Sequence, residues 1–223
     1  MVIALFIIMV AVFLIAEYFF FSKKISPSTK PALGIRPLPA TSTIERYFHP
    51  GHSWVRVHSS EPVVVGINDF SQRFIGKVDA IELPREGGFL RQGEAMVTLK
   101  HGDKSLTQVA PISGVVVEVN PQLKSNPSIV NDSPFEKGWI ARISPRDLTL
   151  ELRNLLRGVV ADRWQESVQS LLVNWFSPQL GTVMQDGGKI VDNVSDLVDS
   201  NEWRLLVNDF FPHCSSTVHN NNS

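Results

Sequence analysis

The sequence predicts a mainly β fold, a small barrel or sandwich, with an N-terminal transmembrane helix and a C-terminal α-helical extension. Three observations predict it. Residues 1–21 are almost wholly apolar, with Glu17 the one charge. Between Tyr47 and Pro145, short runs of strand-forming residues alternate with closely spaced turn signals. From Asp147 onward, large apolar residues recur at threes and fours, the helical period.

Composition narrows the class of function. The 223 residues allow one or two domains, and a net charge of −1 gives no electrostatic case for binding nucleic acid. The single cysteine, Cys214, cannot form an internal disulfide, and it excludes cysteine-based structural zinc sites.

About twenty apolar residues cross a bilayer, so residues 1–22 are expected to form a transmembrane anchor. Lys23, Lys24, Lys30 and Arg36 all follow the span and no basic side chain precedes it. The positive-inside rule then places the globular part on the cytoplasmic side. Neither a basic leading region nor a small-residue cleavage site marks a signal peptide. Residues 23–46, with Pro27, Pro31, Pro37 and Pro39, cannot build a core and read as a semi-extended linker.

The globular part spans residues 47–145. Trp54-Val55-Arg56-Val57 alternates, and Val63–Ile67 follows after Glu61-Pro62, giving two short strands. Asn68 is placed to cap a short helix, Asp69 to Ile75, that ends at Gly76. Ala80–Leu83 is a strand stopped by Pro84. Ala95–Leu99 and Ser105–Val109 flank the polar link His101-Gly102-Asp103-Lys104, which predicts a β-hairpin. Pro111-Ile112-Ser113-Gly114 turns the chain into a further strand, Val115–Val119. Trp54, Val65, Ile67, Ile81, Leu83, Val97, Val116 and Trp139 are the expected core.

Short segments in order carry a resemblance: His52-Ser53-Trp54-Val55-Arg56, Val65-Gly66-Ile67-Asn68-Asp69-Phe70-Ser71-Gln72, Gly76-Lys77-Val78-Asp79-Ala80-Ile81-Glu82-Leu83-Pro84, Pro111-Ile112-Ser113-Gly114-Val115-Val116, Glu118-Val119-Asn120, Asn126-Pro127-Ser128-Ile129-Val130-Asn131 and Gly138-Trp139-Ile140. Together they resemble the H protein of the glycine cleavage system. The resemblance implies a lipoyl-type barrel, no active site of the protein's own, and lipoate on a hairpin lysine that visits glycine-cleavage or other lipoate-handling enzymes. Tethering would present the carried group at high effective concentration.

One departure bears on that function. Counted from Glu94 forward or from Pro111 back, the family's lipoyl lysine falls on Asp103, and the acidic residue before it falls on Lys100. An aspartate cannot form the amide to lipoate. Two readings follow. Lipoate sits on Lys104, in a tripeptide Asp103-Lys104-Ser105 that resembles the tip of acyltransferase lipoyl domains. Alternatively the fold is kept without a cofactor, Lys104 is a solvated turn residue, and the protein is an adaptor that binds partners at the membrane. The expectation here is the adaptor. An export-pump adaptor subunit is a third reading, which the basic flank of the span opposes.

Other motifs carry less. His49 and His52 lack a third ligand at metal-binding spacing, so His52 is read as a packing and hydrogen-bonding residue and no metal site is assigned. His101 is read as part of the turn. Asp186-Gly187-Gly188-Lys189 lacks the full phosphate-loop pattern. No catalytic set of Ser, His and Asp or of Cys and His presents itself. Residues 146–212 form the helical extension: one long helix capped by Asp147, bent or divided at Gly158 and stopped by Ser177-Pro178, then a last helix opened by the capping-box pair Asp199 and Glu202 and ended by Pro212. Its apolar stripe is expected to be packed. Residues 213–223 are a polar, disordered tail.

Overall fold

A computed structural model describes residues 45–58, 62–180 and 192–211. The span expected at residues 1–22, the linker before residue 45, the phosphate-loop-like Asp186-Gly187-Gly188-Lys189 and the polar tail all lie outside the described residues. Among the described residues no helix is long and apolar enough to cross a membrane.

The strands are β1 (Glu45–Phe48), β2 (Ser53–Val57), β3 (Val63–Ile67), β4 (Ala80–Glu82), β5 (Phe89–Leu90), β6 (Ala95–His101), β7 (Lys104–Val109), β8 (Gly114–Val119) and β9 (Ala141–Pro145). They form two antiparallel sheets, one of six strands in the order β1-β2-β3-β9-β8-β5 and one of three in the order β4-β6-β7. The expected barrel is therefore an open sandwich. Among the described residues no strand pairing joins the two sheets; side chains between them close the core instead.

Local chemistry explains the elements nearest the hairpin. Helix α1 (Asp69–Ile75) starts because the Asn68 carboxamide oxygen accepts the Ser71 N–H at 3.1 Å. It stops at Gly76, whose φ of 80° favours glycine. In β2, Trp54 is fully buried and its Nε1–H donates to the Ile67 carbonyl at 2.8 Å. Gly66 pairs with Trp54 across the ladder, and a β-carbon there would collide with the indole. Trp54, Val65, Ile67, Val97 and Val116 are buried as expected, while Ile81 and Leu83 are partly buried against the core. Trp139 is not a core residue. Gly138 and Ile140 beside it are buried, and its own ring sits at the rim with the Arg142 guanidinium 5.3 Å from the ring centre.

Short helices α2 (Gln122–Ser125) and α3 (Ile129–Asp132) join β8 to β9. The expected long helix after Asp147 is divided. Asp147 does cap α4 (Leu148–Glu151), its carboxylate accepting the Leu150 N–H at 3.4 Å. A 3₁₀ turn follows at Leu152–Asn154, and then the chain extends. Leu156 exchanges two backbone hydrogen bonds with Phe48, each 2.8 Å, adding a bridge beside β1. A helix cannot make that pairing. Helix α5 (Gly158–Leu180) begins afresh at Gly158, where φ is +52°. It also continues through Ser177-Pro178 to Leu180, beyond the expected stop. The stripe is only partly packed: Ala161, Leu172 and Phe176 are buried, whereas Val159, Val160 and Leu171 stay exposed. Helix α6 (Val194–Leu197) leads to α7 (Ser200–Phe210), where Asp199 and Glu202 make the expected capping box.

Candidate functional site: the hairpin tip

Strands β6 and β7 build a rigid root for the tip. Leu99 and Leu106 pair across the ladder and are fully buried, and the hydroxyls of Thr98 and Thr107 meet at 3.0 Å. The last pair is His101 with Lys104, so the loop is two residues, Gly102-Asp103. Gly102 has φ +55°, the left-handed angle that the first central position of such loops requires. Its N–H donates to Asp79 Oδ2 at 3.1 Å.

Register decides what the two candidate residues can do. Asp103, on the family's lysine position, is exposed at the tip. Lys104 is the first residue of β7, and alternate residues of a strand share a face. Lys104 therefore lies on the side of Leu106 and Gln108, both fully buried. Its ammonium does not stand free in solvent as expected of a turn lysine. It donates to the main-chain carbonyl of Ser195, in α6, at 2.7 Å.

The C-terminal segment makes further bonds to the tip. Ser200 Oγ–H donates to Asp103 Oδ2 at 3.3 Å, and Trp203 Nε1–H donates to the Ser105 carbonyl at 3.2 Å. His101 is more than a turn residue. Its Nε2 bonds Asp196 Oδ1 at 2.9 Å, and its Nδ1 lies 3.1 Å from Asp79 Oδ2, poorly aligned for a hydrogen bond. The bond to Asp196 raises the His101 pKa above its usual value, with the nearby carboxylate charges adding to the effect. Behind the tip, Ser195 Oγ–H donates to the Ile75 carbonyl at 2.6 Å, and the Trp203 ring lies 5.0 Å from that of Phe74 in α1. Ser195, Asp196, Ser200 and Trp203 carry no local sequence signal for this role; they sit 91–98 residues from the groups they bond.

A cleft of about 570 Å³ opens beside His52, between α5 and α7. His52 is fully satisfied: its Nε2–H donates to the Phe210 carbonyl at 3.2 Å, and Nδ1 accepts from Asn68 Nδ2 at 3.3 Å. Burial pushes its pKa down to about 3, so the ring is neutral, and it packs and hydrogen-bonds as expected. Among the described residues no group of three His, Cys, Asp or Glu side chains is placed to hold a metal ion.

The family model described as glycine cleavage H-protein matches residues 46–168. The chain is 38% identical over 112 residues to glycine cleavage system H protein 4 of Aquifex aeolicus, covering 50% of this chain and 64% of that protein. It is 39% identical over 118 residues to the H protein of a Geobacillus species, covering 53% of this chain and 89% of that one. It is 35% identical over 126 residues to the H protein of Thermus thermophilus, covering 56% and 94%. A solved H protein structure from Mycobacterium marinum aligns with TM-score 0.46 and 22% identity over 56% of this chain and 96% of that one. With its family model matched over more than half its length and its strands in the expected order, this chain belongs to the glycine cleavage H-protein family.

Proposed function

We propose that this protein is a carrier of the glycine-cleavage H type, with Lys104 as its lipoyl attachment residue and a membrane anchor at residues 1–22. The observation that carries the proposal is Lys104 itself, an amine at the first strand position after the two-residue loop of the hairpin. Family membership supports this carrier reading over the adaptor expected from sequence.

The residues present fit lipoate at Lys104 and not at Asp103. Attachment needs the ammonium to lose a proton. Nζ then attacks the carbonyl carbon of an activated lipoyl group, an amide C–N bond forms, and the bond to the leaving group breaks. The bound dithiolane would supply redox-active sulfurs that accept an aminomethyl group from one enzyme and present it to the next. This chain supplies the stiff hairpin root, the Gly102 turn and the tether, and partner enzymes supply the catalysis. Intact-mass measurement of native protein should show a lipoyl adduct that Lys104→Arg abolishes. Protein that stays unmodified in cells with an active lipoyl ligase, both as wild type and with the Lys104–Ser195 contact released by Trp203→Ala, overturns the carrier reading.

A second reading rests on specific observations. Asp103 occupies the family's lysine position, and the Lys104 ammonium is bonded to Ser195. Both favour an unmodified module that binds glycine-cleavage or lipoate-handling enzymes without carrying anything, and the same mass measurement separates the two. Membrane anchoring rests on the apolar run and the basic residues after it. Full-length protein should stay with membranes through an alkaline wash, and deletion of residues 1–22 should release it.

A further inference from the structure

The C-terminal segment touches the hairpin at each residue of its tip except Gly102. Lys104 is bonded to Ser195, His101 to Asp196, Asp103 to Ser200 and Ser105 to Trp203. The same segment is fixed from behind. The Asn193 N–H donates to the Arg73 carbonyl at 2.8 Å, and Ser195 Oγ–H donates to the Ile75 carbonyl. Trp203 and Phe211 are buried against Phe74, and Phe211 also lies 4.7 Å from the His52 ring.

We propose that residues 193–211 form an intramolecular cap that withholds Lys104 from modifying and partner enzymes, and that the cap must lift before the hairpin is used. This rests on the carrier reading above for what Lys104 receives.

Chemistry makes the capped and acylated states compete. The ammonium is a charged donor set against a main-chain carbonyl. Acylation removes the charge and leaves a single N–H. It also adds a chain at a nitrogen that lies on the core-facing side of β7 under α6 and α7. The acyl group thus competes with the closed cap at the point where Nζ now meets Ser195. Acylation therefore shifts the cap toward open, and by linkage anything that holds the cap open favours acylation.

The test reads lysine reactivity in the full-length protein and needs no lipoate. Lys104 is labelled with a small amine-acylating reagent and compared with Lys100, whose side chain is 44% exposed. Wild-type Lys104 should react several-fold more slowly than Lys100. Trp203→Ala, which removes the cap's indole, should bring the two rates together. Because that variant can also unfold the cap's surroundings, a second one closes it: D103C with S200C, in a C214S background, joins two side chains now 3.3 Å apart. Oxidised, this variant should label at or below the wild-type rate, and reduction should raise it. Lys104 that reacts as fast as Lys100 in the wild type, or rates that neither variant moves, overturn the cap. Ligase-catalysed lipoylation measured on the same proteins separates the two readings. Labelling that responds while no lipoate is ever attached leaves the cap and removes the carrier; equal lipoylation with unresponsive labelling does the reverse.

Discussion

His52 donates its Nε2–H to the Phe210 carbonyl at 3.2 Å and so joins the first turn of the sheet to the last helix, 158 residues away. Its ring also stacks on Phe70 at 4.6 Å and lies 4.9 Å from Trp164. One neutral imidazole thus ties β2, α1, α5 and α7 together.

That arrangement predicts acid sensitivity. Burial lowers the His52 pKa from 6.5 to about 3. Between those values the unfolded chain binds a proton that the folded chain refuses, so stability falls as pH falls. The loss from this group approaches about 1.4 kcal/mol per pH unit below pH 6.5. His52 has φ +66°, a conformation asparagine tolerates, so His52→Asn removes the titration with little backbone strain. Denaturant midpoints at pH 7 and pH 4.5 should diverge more for wild type than for His52→Asn. Equal divergence refutes the assignment.

Gly66→Ala should be strongly destabilising, since the new methyl group meets the Trp54 ring with no open space beside it. Overpacking of a closed core costs about 1–3 kcal/mol. Trp54→Phe trims the ring that the methyl group meets. The double variant should therefore be more stable than the sum of the two single losses, and a double-mutant cycle by urea unfolding reads that coupling.

Asn68→Ala removes the α1 cap and the partner of His52 Nδ1 together. A lost N-cap with a buried group left unpaired costs about 1–3 kcal/mol. Thermal unfolding should show the drop. Asn68→Asp should recover the helix cap but not the donor to His52, and so should fall between the other two.

Features set by near neighbours were legible in the sequence. The Asn68 cap, the hairpin around Gly102 and the Asp199–Glu202 capping box each involve a few adjacent residues, and each formed as expected. Features set by distant contacts were not. Residues 155–157 read as helix on their periodicity, but Leu156 finds its backbone partner in Phe48, 108 residues earlier, and that pairing outweighs local propensity. Trp139 is as apolar as Trp54, yet Arg142 gives its ring a favourable place at the rim. Lys104 reads as a turn lysine because nothing near it in the chain speaks of Ser195.

His101 predicts that the cap loosens as pH rises. It faces Asp79 before β4 and Asp196 in α6, with Lys104 paired across the turn. Its pKa is raised in the folded protein. The stabilisation from its charged form is therefore complete below pH 6.5 and lost as pH climbs through the raised value. The labelling ratio of Lys104 to Lys100 should increase across that range. Asp196→Asn removes the first cause of the shift, so it should flatten the increase. A ratio independent of pH in the wild type would sink this account.

Asp103→Lys tests where the family's lysine has gone. Position 103 is exposed in the two-residue loop, where its side chain meets Ser200 at the start of α7 and not Ser195 in α6, so a lysine there is not held by the carbonyl that holds Lys104. The substitution gives up the 3.3 Å contact with Ser200. A ligase that recognises H proteins should modify the new lysine without the cap opening, and Trp203→Ala should not accelerate that reaction. Adding Lys100→Glu restores the acidic residue of the family pattern but breaks the Lys100–Glu82 ion pair and sets two carboxylates side by side. Both groups are well exposed, so the stability change should stay within about 1 kcal/mol. Mass analysis after ligase treatment, with Lys104→Arg in the same chain, assigns the modified residue. Lipoylation at position 103 that still depends on Trp203→Ala would mean that the cap shields the whole tip rather than one lysine.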